Sequence, residues 1–221
     1  MVFILGLKQC QEPITDFGYD ATLKGTVQNQ SGDLISGDIT SSATDIRALG
    51  EEDVAPMIMR LKGDGTYQNT KLYPQVYYVW LTGPFIESPT EEVEINLRDN
   101  QEVTHDFVVT PFINCMTPVL AGPPASTISV DFSVSGNGGH FPEFVRVLCS
   151  TVNYPSVTTG SGAGYTTLTS EVPNETESGD MSGTVEFSDL ESGQRYFIRI
   201  AARADGASAY NYSDQIRVDI P

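Results

Sequence analysis

The chain has 221 residues, and 29 acids against 12 bases give it a net charge of −17. That balance excludes a duplex-DNA binder, which needs a basic face to displace counterions from phosphates. Three cysteines in a chain of this length exclude a disulfide-stapled miniprotein, and 39% hydrophobic with 10% aromatic residues argues against disorder.

The chain opens on an apolar run, Met1–Leu7, followed by Lys8, Gln9 and Cys10. Seven residues cannot span a bilayer, which needs about 20. A bacterial lipoprotein signal wants a small residue just before its acceptor cysteine, and Gln9 stands there, although Leu7 fits its place three positions before Cys10. Two readings stay open: a tether or signal remnant over residues 1–17 with lipid attached at Cys10, or a frayed terminus with a free cysteine.

Beyond residue 18 little reads as helix, because apolar spacing of three and four is never sustained. Period-two alternation and short apolar runs predict strands at 21–27, 55–61, 76–81, 93–97 and 103–109. They predict a second set at 127–134, 144–149, 183–187, 195–202 and 215–220. Residues 42–49 lean to strand. Gln30–Asp33 and Gly63–Gly65 carry turn chemistry, and Asp64-Gly65 predicts a hairpin between the run at 57–61 and Tyr67. Pro118, Pro123 and Pro124 interrupt ladder pairing, so a boundary is expected at 116–124. The expected fold class is all-β, two tandem β-sandwiches, one over 18–116 and one over 119–221. The acid excess divides between residues 1–117 (17 acids, 7 bases) and 118–221 (12 acids, 5 bases), so neither half is a charged tail.

Particular segments carry a resemblance. Tyr19–Gly25, Ile58–Asn69, Lys71–Trp80, Gly83–Phe85 and His105–Pro111 together resemble a transthyretin-like, carboxypeptidase-regulatory-like sandwich. Asp189–Tyr196, Ile198–Arg203 and Tyr212–Val218 resemble the late strands of a fibronectin type III domain. In this order the chain resembles a family of exported lipoproteins of Bacteroides-type bacteria that lie beside starch-utilisation-system-like glycan uptake genes. The resemblance implies a role in glycan capture at the outer membrane, cell surface or periplasm, with outer-membrane uptake proteins as partners. It brings no established activity, and the incomplete lipobox departs from it.

Catalytic patterns are missing. Adjacent strand residues His105 and Asp106 point to opposite faces, and His140 is remote in sequence, so no metal-ligand spacing arises. Cys115 is expected in the linker and Cys149 at the end of an apolar strand, without a Cys–His pattern. Gly160–Gly164 has serine in the second place and misses the G-x-S-x-G elbow. Carboxylates are plentiful at Glu51–Asp53, Glu91–Glu92, Glu175, Glu177 and Asp180, but glycosidases need a pair about 5–10 Å apart in a cleft. No cofactor or metal is expected, and no enzyme.

Aromatic residues are the remaining signal, since sugar C–H faces stack on aromatic rings. Tyr67, Tyr73, Tyr77, Tyr78, Trp80 and Phe85 fall within nineteen residues. Tyr77 and Val79 share one strand face, Tyr78 and Trp80 the other. Either Tyr78 and Trp80 are core, or Trp80 forms a glycan platform with Tyr73 and Phe85 from its flanking loops. Tyr154 and Tyr165, with Tyr210 and Tyr212, are expected in loops of the second sandwich, either packed or forming a second patch. The function expected is a non-catalytic, exported oligosaccharide-binding accessory protein. The alternative is a structural adaptor between surface uptake proteins.

Overall fold

A computed structural model of the chain describes residues 18–38, 40, 44–162, 164–176 and 179–221. The expected tether, Cys10 and Glu177 lie outside the described residues. The described chain is all-β and sandwich-like. Its first strands are β1 (Ala21–Gln28), β2 (Asp45–Gly50), β3 (Met57–Arg60), β4 (Thr66–Leu72), β5 (Val76–Thr82), β6 (Val93–Asn96), β7 (Glu102–Thr104) and β8 (Phe107–Val108). One sheet has the order β4-β1-β7, with β8 also on β1, and the facing sheet has the order β3-β2-β5-β6. Their inward residues, among them Leu23, Val27, Ile46, Ala48, Val79, Leu81 and Phe107, form one apolar core.

The second set is β9 (Ile113–Cys115), β10 (Val119–Leu120), β11 (Ile128–Gly136), β12 (Pro142–Ser150), β13 (Thr167–Pro173), β14 (Met181–Phe187), β15 (Arg195–Ala204), β16 (Tyr210–Tyr212) and β17 (Ile216–Asp219). Here β10-β11-β14, with β9 on β11, faces β13-β12-β15-β16, with β17 on β15. Ile128, Val130, Phe132 and Val134 alternate inward from β11 against Val145, Val147, Ile198 and Ile200, the pattern of a sheet buried on one face.

Three expectations need correction. Cys115 is not linker: it lies in β9, opposite Val134, so the second sandwich starts before the proline-rich stretch. The run at 103–109 is two short strands, because Asp106 turns its carboxylate to the Thr26 N–H and hydroxyl between them. The turn at Gly63–Gly65 is tight, with the Lys62 N–H donating to the Thr66 carbonyl, but β3 and β4 then part into opposite sheets.

Candidate functional site

The outer face of β15 is where the two sandwiches meet. Ile198 and Ile200 point into the second core, which turns Arg199 and Ala201 outward, yet both are fully buried. The first sandwich covers them with the segment after β1. The backbone at Ser36 bridges to Tyr212 of β16. Arg199 Nη2 donates to Ser36 Oγ at 2.6 Å and to the Gly37 carbonyl at 2.7 Å. Its Nε donates to the Ser213 carbonyl at 3.0 Å and its Nη1 to the Pro155 carbonyl at 3.4 Å.

The Tyr212 ring lies 4.1 Å from the guanidinium carbon, and the Tyr212 hydroxyl donates to Asp38 at 2.9 Å. Burial pulls the Arg199 pKa down to about 10 against the fields of Tyr212 and Asp38, so it stays charged at neutral pH. Asn211 adds a second staple: its Nδ2 donates to the Pro84 carbonyl and its Oδ1 accepts from the Ile113 N–H. Thr40 reaches across to the hydroxyls of Ser156 and Thr158, both at 2.6 Å. Charged and polar groups this deep need such partners.

Beside this junction the outer face of β3-β2-β5-β6 is open. Tyr77, Val79 and Leu81 face the core, so Tyr78 and Trp80 face outward; Tyr78 is exposed and Trp80 half-buried. Trp80 is the cross-strand partner of Arg47, and Arg47 is the partner of exposed Ile58. Tyr78 stands between Leu49 and Glu94.

At the end of the face nearest the second sandwich, Asp45, Arg47 and Thr82 form one wall of a groove of about 390 Å³. Pro84 and Phe112 lie along it, and Gly206–Ala209, the loop joining β15 to β16, form the opposite wall. Asp45 is 2% exposed. Among the described residues, its Oδ1 and the Arg47 Nε have no hydrogen-bond partner. Burial pushes the Asp45 carboxyl above its ordinary value, with Arg47 and Arg60 pulling the other way. An orphaned buried polar atom costs about 1–3 kcal/mol, so this wall is not built for stability.

The five aromatics singled out in the sequence do not converge. Phe85 is 2% exposed and belongs to the first core, because Gly83 lets its ring fold back beneath the strand end. It is therefore no part of an exposed platform. Tyr73 is exposed and packs on Tyr19 at 4.1 Å, at the end of β4 away from the junction. Tyr154 is half-buried at the junction, 5.8 Å from the Arg199 guanidinium carbon, with its ring against Gly63. There it is a packing group. A Cβ on Gly63 would stand 2.2 Å from that ring. Tyr165 is exposed in the loop after β12, at the opposite end of β12 and β15 from the groove.

Sequence reasoning missed Asp45, Arg47, Arg199 and Asn211. It also missed Phe144, whose ring is faced by Arg146 and Arg203, while Tyr210 and Tyr212, expected in loops, lie in β16, with Arg146 facing the Tyr210 ring. One signal was present: Arg199 and Ala201 sit at outward places of a strand, where a lone alanine marks a covered face.

The remaining reactive groups are quiet. Burial pushes the thiols of Cys115 and Cys149 up to about 12, so both are protonated at neutral pH, and both are free. His105 packs edge-on against Phe107, and burial lowers its pKa. His140 packs against Phe112. Among the described residues, no group of three acids, histidines or cysteines is placed to hold a metal ion, and no helix is long and apolar enough to cross a membrane.

No protein-family model and no curated protein matches the chain. Solved structures do. A DUF3823 family protein from Bacteroides uniformis has a TM-score of 0.70 at 21% identity, covering 91% of this chain and 100% of its own. One from Bacteroides ovatus has a TM-score of 0.70 at 20% identity, with the same coverage. A Bacteroides uniformis protein described as a "putative carbohydrate binding protein" has a TM-score of 0.67 at 18% identity, covering 92% of this chain and 100% of its own. The chain is similar to these proteins in fold over nearly its whole described length.

Proposed function

We propose that the protein is a non-catalytic, exported accessory component of a glycan uptake system that binds oligosaccharide at the cell surface, held there by lipid on Cys10. The observation that carries the binding reading is the outward pair Trp80 and Tyr78 on an open sheet face flanked by Arg47 and Glu94. Aromatic rings match sugar C–H faces, and the charged neighbours match hydroxyls. The carbohydrate-binding description of one fold neighbour supports the same reading. Protonated thiols and two histidines packed on aromatic rings support a role without catalysis.

Affinity electrophoresis of the purified protein through gels containing a polysaccharide panel tests it. Retardation by at least one glycan is expected. Free migration through all of them, with co-purification of outer-membrane uptake proteins, would favour an adaptor instead. Metabolic labelling with an alkynyl fatty acid should mark the wild-type chain and not Cys10→Ser.

A further inference from the structure

We propose that the groove between Asp45–Arg47 and the Gly206–Ala209 loop is a subsite for one neutral pyranose unit of the oligosaccharide, continuous with the Trp80 face. The inference rests on the glycan-binding reading and adds a place and a sugar class to it.

Three independent observations converge on this groove. First, among the described residues Asp45 Oδ1 is a buried acceptor without a donor and Arg47 Nε a buried donor without an acceptor, on two residues that line the groove. The rest of the junction shows that this is not general neglect, since Arg199 alone makes four hydrogen bonds a few residues away in the fold. Second, the opposite wall is built from small residues, Gly206, Ala207, Ser208 and Ala209, which leave about 390 Å³ open. That lies within the range of about 300–1,000 Å³ common for small-molecule sites. Third, Arg47 lies directly across from Trp80 on the same outward face, so a chain lying on the indole passes into the groove.

The donor and acceptor pattern selects the ligand class. A sugar hydroxyl both donates and accepts, so hydroxyls in the groove can pair with both the carboxylate and the guanidinium of the lining residues Asp45 and Arg47. A uronic acid would satisfy Arg47 but bring a second carboxylate against Asp45 in a partly desolvated site. The surrounding charge of −17 also disfavours a polyanionic glycan. A neutral hexose polymer meets every requirement.

Isothermal titration of the whole chain tests this, with maltohexaose, cellohexaose, mannohexaose and xylohexaose as neutral probes and a galacturonic acid hexamer as the acidic one. Wild type should bind at least one neutral probe and bind the acidic one more weakly. Asp45→Ala and Arg47→Met should each lose about tenfold or more in affinity, because each leaves a hydroxyl without its partner. Ser208→Trp fills the groove from the other wall without touching Asp45, and should lose affinity with an unchanged melting temperature. It keeps the test valid if either charged variant unfolds.

Unchanged affinity in all three variants, with loss in Trp80→Ala, overturns the groove and leaves the glycan reading standing. Preference for the galacturonic acid hexamer overturns the neutral-sugar assignment. Absence of binding to any probe overturns both the groove and the reading beneath it.

Discussion

Two sets of buried charge lie at the same junction and differ in one respect. Arg199 has four hydrogen bonds, two of them to the other sandwich, and an aromatic ring on its face. Among the described residues, Asp45 and Arg47 keep buried polar atoms without partners, and Asp45 is only 2% exposed. The cost of burying charge is offset at Arg199 by hydrogen bonds within the protein; at Asp45, beside the groove, it is not. Satisfied burial marks the joint between the sandwiches, and unsatisfied burial marks the groove proposed as a sugar subsite.

Substitutions can break or sharpen this contrast. The largest effect is expected at Arg199. Arg199→Met strands Ser213, Pro155 and Gly37 carbonyls without their donor, and should cost about 3 kcal/mol or more in urea unfolding. If the sandwiches then unfold in two transitions, the joint is what coupled them. Gly63→Ala should cost about 1–3 kcal/mol, because its methyl would collide with the Tyr154 ring across the junction.

Trp80→Ala should weaken oligosaccharide binding by about tenfold or more while changing stability by less than about 1 kcal/mol, since the half-buried ring caps no core.

Asp45→Asn should leave the unliganded protein equally stable or more stable at neutral pH. The sign follows from the raised carboxyl pKa. The folded state holds this proton more tightly than the unfolded state does. The wild-type deficit is therefore full above the folded pKa and vanishes below the unfolded value of 3.8. Thermal melts from neutral pH downward should show the gap between wild type and Asp45→Asn closing. The smallest effect is expected at Tyr165, exposed and at the far end of β12: Tyr165→Ala should change stability by no more than about 0.5 kcal/mol and leave binding unchanged.

The all-β character was legible wherever one face is buried in strict alternation, as at Ile128, Val130, Phe132 and Val134. β4 was hidden because Tyr67 and Leu72 are both buried although five residues apart. An irregularity in the pairing with β1 resets the alternation between them. β13 was hidden because it buries no residue and so carries no apolar period. Of the candidate site, strand parity gave the shared face of Trp80 and Tyr78, but not which face is outward, which the structure decides. The groove depends on Asp45 and the Gly206–Ala209 loop meeting across the two sandwiches. Phe85 misled because a loop aromatic beside Gly83 and Pro84 reads as exposed until the chain folds it inward.

Trp80 is the only tryptophan in the chain, so intrinsic tryptophan fluorescence reports on the face beside the groove and on nothing else. Titration of the whole protein with the neutral hexasaccharide that binds best by calorimetry is the most direct measurement. The account predicts a saturable change in intensity with a shift to shorter wavelength, following the calorimetric curve in wild type and weakened in Asp45→Ala. Calorimetric binding that leaves the Trp80 emission unchanged would place the ligand elsewhere and contradict it.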